Sequence, residues 1–315
     1  MERLIGRYDG QQPGALVIVF AAVHGNEIAG VKALREVFFL LNKEPEINPG
    51  FQFNGALLGL VGNLQALQLQ QRYLQRDLNR IWEEHEIERI LRLAPEERRA
   101  EDREAAEILQ MVQETIRVRK PEALVLLDLH TTSAEGGIFC IPASDPASLR
   151  LAKELHAPVV LGLMDGIRGT LLHFAANRCF CENGIPNYCI GAAFEGGQHD
   201  DPLSVSRCIA AVINCLRAAG CVKPEDVDTR HDEILLSYSD KLPKVTRLQY
   251  VHSIRPEDRF RMRPGYLNFQ PIRQGEHLAD DVKGPIYAPD DGRILMPLYQ
   301  PQGTDGFFVV KDLEE

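Results

Sequence analysis

No apolar stretch of this 315-residue chain approaches the roughly 18 residues needed to cross a bilayer; the longest, Ala15 to Val23, is the size of a strand. The opening residues Met1 to Arg7 lack the basic and apolar blocks of a signal peptide. Membrane and secretory readings are disfavoured, and a cytoplasmic protein is expected. Positive charge is also short, with 35 Lys and Arg against 45 Asp and Glu and a net charge of −10. No basic stripe interleaves with aromatic residues, so nucleic acid is not an expected partner. A small anion remains acceptable, because a few local arginines reverse the field inside a cleft. The seven cysteines lie between Cys140 and Cys221 without a framework spacing, and they read as reduced thiols. Cys179 and Cys181 read as core filling, since a metal pair there would need partners that the sequence does not supply. Internal repeats and low-complexity tracts are lacking too.

What is present suits a globular protein: 44% hydrophobic and 25% charged residues, at a length of about two domains. Residues 15–22 form a continuous apolar run with β-branched members, as in a strand buried on both faces. Similar runs at 55–61, 123–129 and 188–194 predict three more buried strands. Helical spacing predicts helices over 28–41, 95–120, 147–155, 169–181 and 202–219. The alternation argues for an α/β architecture with a parallel or mixed sheet flanked by helices. After Cys221 the texture changes. A polar, Pro-containing linker spans 222–230, and beyond it Pro and Gly punctuate short runs, which predicts a smaller β-rich unit. The expected division is 1–225 and 226–315.

In an α/β sheet, ligands bind beyond the carboxyl ends of the strands. Three predicted strands carry chemistry there: the first runs into His24-Gly-Asn-Glu27, another into Asp128-Leu-His130, and the late one into Phe194-Glu195. His24, Glu27 and His130 make a His2Glu set, common around catalytic zinc with a fourth position left for water. Gly25 would supply an unusual backbone conformation between the first two. Asp128, on the same strand face as His130, is either an orienting partner or a buried polar residue. The second element is Arg72, followed by Asp77-Leu-Asn79-Arg80 and the apolar anchor Ile81-Trp82. Asn79 and Arg80 suit a carboxylate clamp, and Arg72 suits an oxyanion. Of the remaining histidines only His199, close after Glu195, stands out.

Together these segments resemble the succinylglutamate desuccinylase/aspartoacylase family of zinc-dependent amidohydrolases, relatives of the pancreatic-type zinc carboxypeptidases. The matching pieces fall in the family's order over the first 200 residues, and the β-rich tail is similar to the family's C-terminal domain. The resemblance implies a carboxypeptidase-like mixed sheet, with the C-terminal domain capping the cleft. It implies one zinc ion per chain on His24, Glu27 and His130, with Glu195 as general base and acid. It further implies Arg72 on the scissile carbonyl, and Asn79 and Arg80 on the α-carboxylate of a small anionic N-acyl amino acid. A further family arginine corresponds to Arg178 and a family tyrosine to Tyr287 or Tyr299, the choice left open. A peptide-cleaving zinc carboxypeptidase and a non-catalytic ligand-binding protein are the alternatives. Whether the chain forms a homo-oligomer is not legible in the sequence.

Overall fold

The computed structural model describes residues 2–181 and 184–313. Strand β1 (Leu4–Asp9) leads into β2 (Gln12–Ala21), whose residues from Leu16 onward are buried on both faces. Helix α1 (Ala29–Ile47) presents Ala33, Leu34, Val37 and Leu41 to the core, the three-and-four spacing of an amphipathic helix. It runs past the expected stop at 41, because Pro45 forfeits a single hydrogen bond in an exposed final turn that Asn48 N–H closes onto the Glu44 carbonyl.

Strand β3 (Asn54–Val61) is followed by α2 (Leu64–Leu69), a tight 3-10 turn at Leu78–Arg80 and α3 (Glu84–Arg92). The helix expected over 95–120 is interrupted. A 3-10 turn at Pro95–Glu97 gives way to extended backbone at Arg98 and Arg99, and α4 (Ala100–Arg119) starts afresh, with Asp102 accepting the Arg99 N–H. Its buried face contains the expected Ala105, Ile108, Leu109, Val112 and Ile116. Then come β4 (Leu124–Thr132), β5 (Phe139–Pro142), α5 (Pro146–Glu154), β6 (Val159–Leu161), α6 (Leu163–Gly166) and α7 (Leu171–Ala176). The helix expected over 169–181 is this short α7, ended as Arg178 turns left-handed at φ 61°.

Strand β7 (Cys189–Gln198) and helix α8 (Leu203–Ala218) complete the first part. The polar stretch 222–230 runs into α9 (Arg230–Ser239), a helix within the part expected to be β-rich. It packs on α8 through Leu235, while Tyr238 lies under the Arg207 guanidinium. The remainder is β-rich as expected: β8 (Val245–Ser253), β9 (Arg261–Met262), β10 (Pro271–Ile272), β11 (His277–Asp281), β12 (Gly284–Tyr287), β13 (Gly292–Leu295) and β14 (Asp305–Asp312).

The large sheet has the order β1-β3-β2-β4-β7-β5-β6-β8-β14-β13-β10, and β12-β11-β9 forms a small second sheet. The C-terminal strands thus extend the main sheet through the parallel pair β6–β8. At its centre β3, β2, β4 and β7 are parallel, so their carboxyl ends share one edge. Strand alternation sorts the two faces. Val17, Val19, Leu127, Leu129 and Phe194 pack with α1 and α8, while Leu16, Ile18, Phe20, Leu126 and Ala193 face α4 and the 78–82 turn. Asp128, His130 and Glu195 inherit the second face from Leu126 and Ala193, and the register sets His130 opposite Glu195.

Candidate metal centre

Beyond β2 the chain turns tightly, with Glu27 N–H donating to the His24 carbonyl and Gly25 N–H to the Arg72 carbonyl at 3.0 Å each. Gly25 is needed for a different reason from the expected one. Its φ is ordinary, but a Cβ there would lie 2.2 Å from the Ala66 carbonyl carbon, so the close approach of α2 excludes any side chain. The turn aims His24 and Glu27 at His130 on the neighbouring strand β4. His24 Nδ1 lies 2.8 Å from Glu27 Oε1 and His130 Nδ1 lies 3.0 Å from Glu27 Oε2, which also accepts the Thr131 N–H. All three side chains are buried, and one ligand atom from each falls within 4.8 Å of the others.

The outer ring nitrogens are held in turn. His24 Nε2 meets Asp77 Oδ1 at 3.2 Å, and His130 Nε2 meets Asp128 Oδ2 at 2.9 Å. A carboxylate that accepts the Nε2 proton fixes the tautomer whose Nδ1 lone pair points at the shared centre. Burial pushes the Glu27 carboxyl up, but the His24 and His130 charges outweigh it and hold it well below the usual range. The same contest at Asp77 is settled downward by His24 and Arg72. Buried oxygens without partners, Asp128 Oδ1 and Glu195 Oε2, border this set. Two imidazoles, one ionised carboxylate and orphaned acceptors nearby are the surroundings that a zinc-sized dication would satisfy. Asp128→Asn is expected to lower zinc affinity about 10–100-fold with the fold intact, measured by competition against a chromogenic chelator; unchanged affinity would leave Asp128 a merely buried acid.

Glu195 is buried against His130, and burial is the main cause pushing its carboxyl up to about 8. Glu27 and Asp128 add to that shift, while His130 and Arg72 oppose it. Arg72 reaches Glu27 Oε1 at 3.5 Å and Asp77 Oδ2 at 3.3 Å, leaving its Nε without a partner. Asn79 accepts the Leu171 N–H on its side-chain oxygen, and its amide nitrogen lies 3.5 Å from His130 Nε2. That ring nitrogen gives its proton to Asp128, so the Asn79 NH2 group remains available to a ligand. Arg80, the other half of the expected clamp, is engaged within the protein: its Nη2 donates to Asp305 Oδ2 at 2.7 Å and its Nη1 to the Asn79 carbonyl.

His24, Glu27, Arg72, Asn79, Arg80, His130 and Glu195 therefore line one cleft, open to solvent at its mouth. Arg178, Tyr287 and Tyr299 do not. Arg178 donates to the carbonyls of Gly184 and Pro186, Tyr287 is exposed on β12, and the Tyr299 hydroxyl donates to the Arg263 carbonyl. His199 sits behind the centre, its Nδ1 2.7 Å from the Thr131 hydroxyl and its Nε2 3.3 Å from Gln300 Oε1. Sequence reasoning missed the orienting role of Asp77, for which its place two residues before Asn79, whose N–H it caps, was the available signal. It also missed Asp305, which no local pattern marks.

A curated relative, the probable aspartoacylase of Acaryochloris marina, is 30% identical over 147 residues. The match covers 46% of this chain, and the chain spans only 45% of that relative's length. Among solved structures, the succinylglutamate desuccinylase of Chromobacterium violaceum aligns over 100% of this chain and 95% of its own, at TM-score 0.62 and 18% identity. Murine aminoacylase 3 aligns over 96% of both chains, at TM-score 0.58 and 18% identity. At such identities these two show a shared fold. The catalytic-domain pattern of the succinylglutamate desuccinylase/aspartoacylase family matches residues 13–185, more than half of the chain, from β2 through the His130 strand to just before β7; the chain belongs to that family.

Proposed function

We propose that this protein is a zinc-dependent hydrolase that cleaves the amide bond of small N-acyl amino acids, releasing a carboxylate and a free amino acid. In this reading one zinc ion per chain is held by His24, Glu27 and His130, and the enzyme works in the cytoplasm; among the described residues no helix is long and apolar enough to cross a membrane. When bound, zinc supplies a Lewis acid for the acyl carbonyl and acidifies water at neutral pH. Glu195 takes the proton of the attacking water and returns it to the departing amine. The Arg72 guanidinium stabilises the oxyanion. The Asn79 amide and Arg80 receive the α-carboxylate, for which Arg80 exchanges Asp305 for the substrate. Residues 226–315 act as the cap, since Gln300, Asp305 and Met296 reach the cleft from that part of the chain.

The observation that carries the reading is Glu195. It is a buried carboxyl group, partnerless at Oε2, set opposite His130 at the edge of the His24–Glu27–His130 cluster. It lies beyond the segment matched by the family pattern, so its placement supports the assignment independently. The test is amino-acid release from a panel of N-acyl amino acids and short peptides by metal-quantified protein, with and without chelator. Chelator-sensitive release from the N-acyl amino acids, with peptides left uncut, is the expected result. Peptide cleavage would favour a carboxypeptidase, and inertness of the zinc-loaded protein a binding protein. Arg80→Ala is expected to raise KM for these substrates by about 10–100-fold with kcat largely kept, the span of a lost charged hydrogen bond. An unchanged KM would remove Arg80 from the clamp.

A further inference from the structure

An N-acyl amino acid carries an acyl group and a side chain besides the carboxylate that the clamp receives, and the cleft wall constrains both. Its charged lining is Glu27, Asp128, Glu195 and Asp305 against Arg72 and Arg80. A divalent ion at the cluster would bring that balance only to neutrality, so no surplus positive charge is left for a second substrate carboxylate. Both guanidinium groups are already engaged, Arg72 by Glu27 and Asp77 and Arg80 by Asp305. Arg178, the residue from which a second cationic contact was expected, is turned away onto the carbonyls of Gly184 and Pro186. Among the described residues no other Lys or Arg lines the cleft.

The neutral polar members Thr131, Thr132, Ser133, Thr170, Gln300 and Thr304 carry hydrogen bonds within the protein, and beside them stands an apolar wall. Ile141 from β5, Leu163 and Met164 from α6, Leu172 from α7, and Met296 and Phe308 from the C-terminal part converge on the same space. All but Met296 are buried, and they belong to the core cluster that faces α4. A second carboxylate pressed against this wall would lose its water without gaining a partner. An aliphatic or aromatic group would exchange water for packing, worth roughly fourfold in binding per buried methylene. The two methionines give the wall the adaptability to take more than one shape.

We propose that the preferred substrate is an N-acyl amino acid with a single carboxylate and an otherwise apolar body, either a large apolar side chain or an acyl chain of several carbons, and not a dicarboxylate. This rests on the reading of the site as an N-acyl-amino-acid hydrolase. The shared chemistry is a monoanion with an apolar group next to the scissile amide.

The experiment compares kcat/KM of the zinc-loaded enzyme on N-acetyl-L-leucine and N-acetyl-L-phenylalanine (apolar side chain), N-hexanoylglycine (apolar acyl chain), and N-acetyl-L-aspartate and N-succinyl-L-glutamate. One of the apolar arms is expected to exceed the acidic substrates by about 100-fold or more, and the arm that does so identifies which part of the substrate meets the wall. Equal or faster turnover of the acidic substrates would overturn the proposal while leaving the hydrolase reading intact. Met164→Arg, on a short helix where it is followed by the exposed Asp165 and Gly166, is expected to narrow the preference about tenfold through KM, with Met164→Leu behaving as wild type. A folded Met164→Arg protein with the original preference would count against the wall. If none of the compounds is cleaved, the hydrolase reading falls, and calorimetry on the same uncleaved compounds decides the inference. Tighter binding of N-acetyl-L-leucine than of N-acetyl-L-aspartate supports it, and the reverse order rejects it.

Discussion

Glu195→Gln is expected to leave a folded protein that still binds zinc while kcat falls by about 10²–10⁴-fold, the span of a positioned acid–base group. The substitution keeps shape and volume, and the side-chain atom Oε2 forfeits no hydrogen bond. A second readout separates this role from a structural one. In metal-free protein, burial raises the Glu195 carboxyl to about 8 from its ordinary value of 4.5. A carboxyl raised on folding costs nothing below its unfolded value, and the penalty grows as pH rises from about 4.5 to about 8. Glutamine is neutral throughout, so the chelated variant should melt above the chelated wild type at pH 8 and beside it at pH 4.5. A cation at the cluster favours the charged carboxylate, so loading with zinc should shrink the difference at pH 8. Near-native turnover, with no change in melting at either pH, would remove Glu195 from the mechanism.

The parts of the site legible in the sequence are those fixed by strand periodicity. Continuous apolar runs announce β2, β4 and β7, and because these strands are adjacent and parallel, the residues just past each run meet at one edge. The strand pattern alone therefore sets His24, Glu27, His130 and Glu195 at one edge. The arginine segment was legible for a different reason, its abrupt passage from Asn79-Arg80 into the buried Ile81-Trp82 anchor. What periodicity cannot reveal is a partner set by tertiary closure. Asp305 meets Arg80 across 225 residues of sequence, and Gln300 reaches His199 across 101. Likewise α9 hides in a polar stretch because its buried side chains, His231 and Leu235, are too few to mark a face. Pro and Gly betray the β-rich texture of the C-terminal part, but not that β8 joins the main sheet alongside β6, since that pairing depends on a parallel neighbour 86 residues away, Val159 opposite Val245.

Glu27→Gln should have the largest effect on the metal. One carboxylate here faces both Nδ1 atoms and accepts the Thr131 N–H, so its charge orders three groups at once. An amide of the same shape can keep the Thr131 contact with its oxygen, and Arg72 keeps Asp77, so the fold should persist. A neutral amide is a far weaker zinc ligand than a carboxylate. Affinity is expected to fall by more than the roughly 10–100-fold typical of altering an outer partner such as Asp128. Metal analysis of dialysed protein should then read close to one zinc per chain for wild type and near none for the variant, with turnover lost in parallel. Melting gives an independent check, because an ion at about 100 times its Kd stabilises the folded state by about 2.7 kcal/mol. Added zinc should raise the Tm of wild type and leave that of Glu27→Gln where it was. If Glu27 merely braced the two histidines, the variant would melt lower than wild type yet still gain stability from zinc and still turn over, and Glu27 would then be a bracing residue and not a zinc ligand.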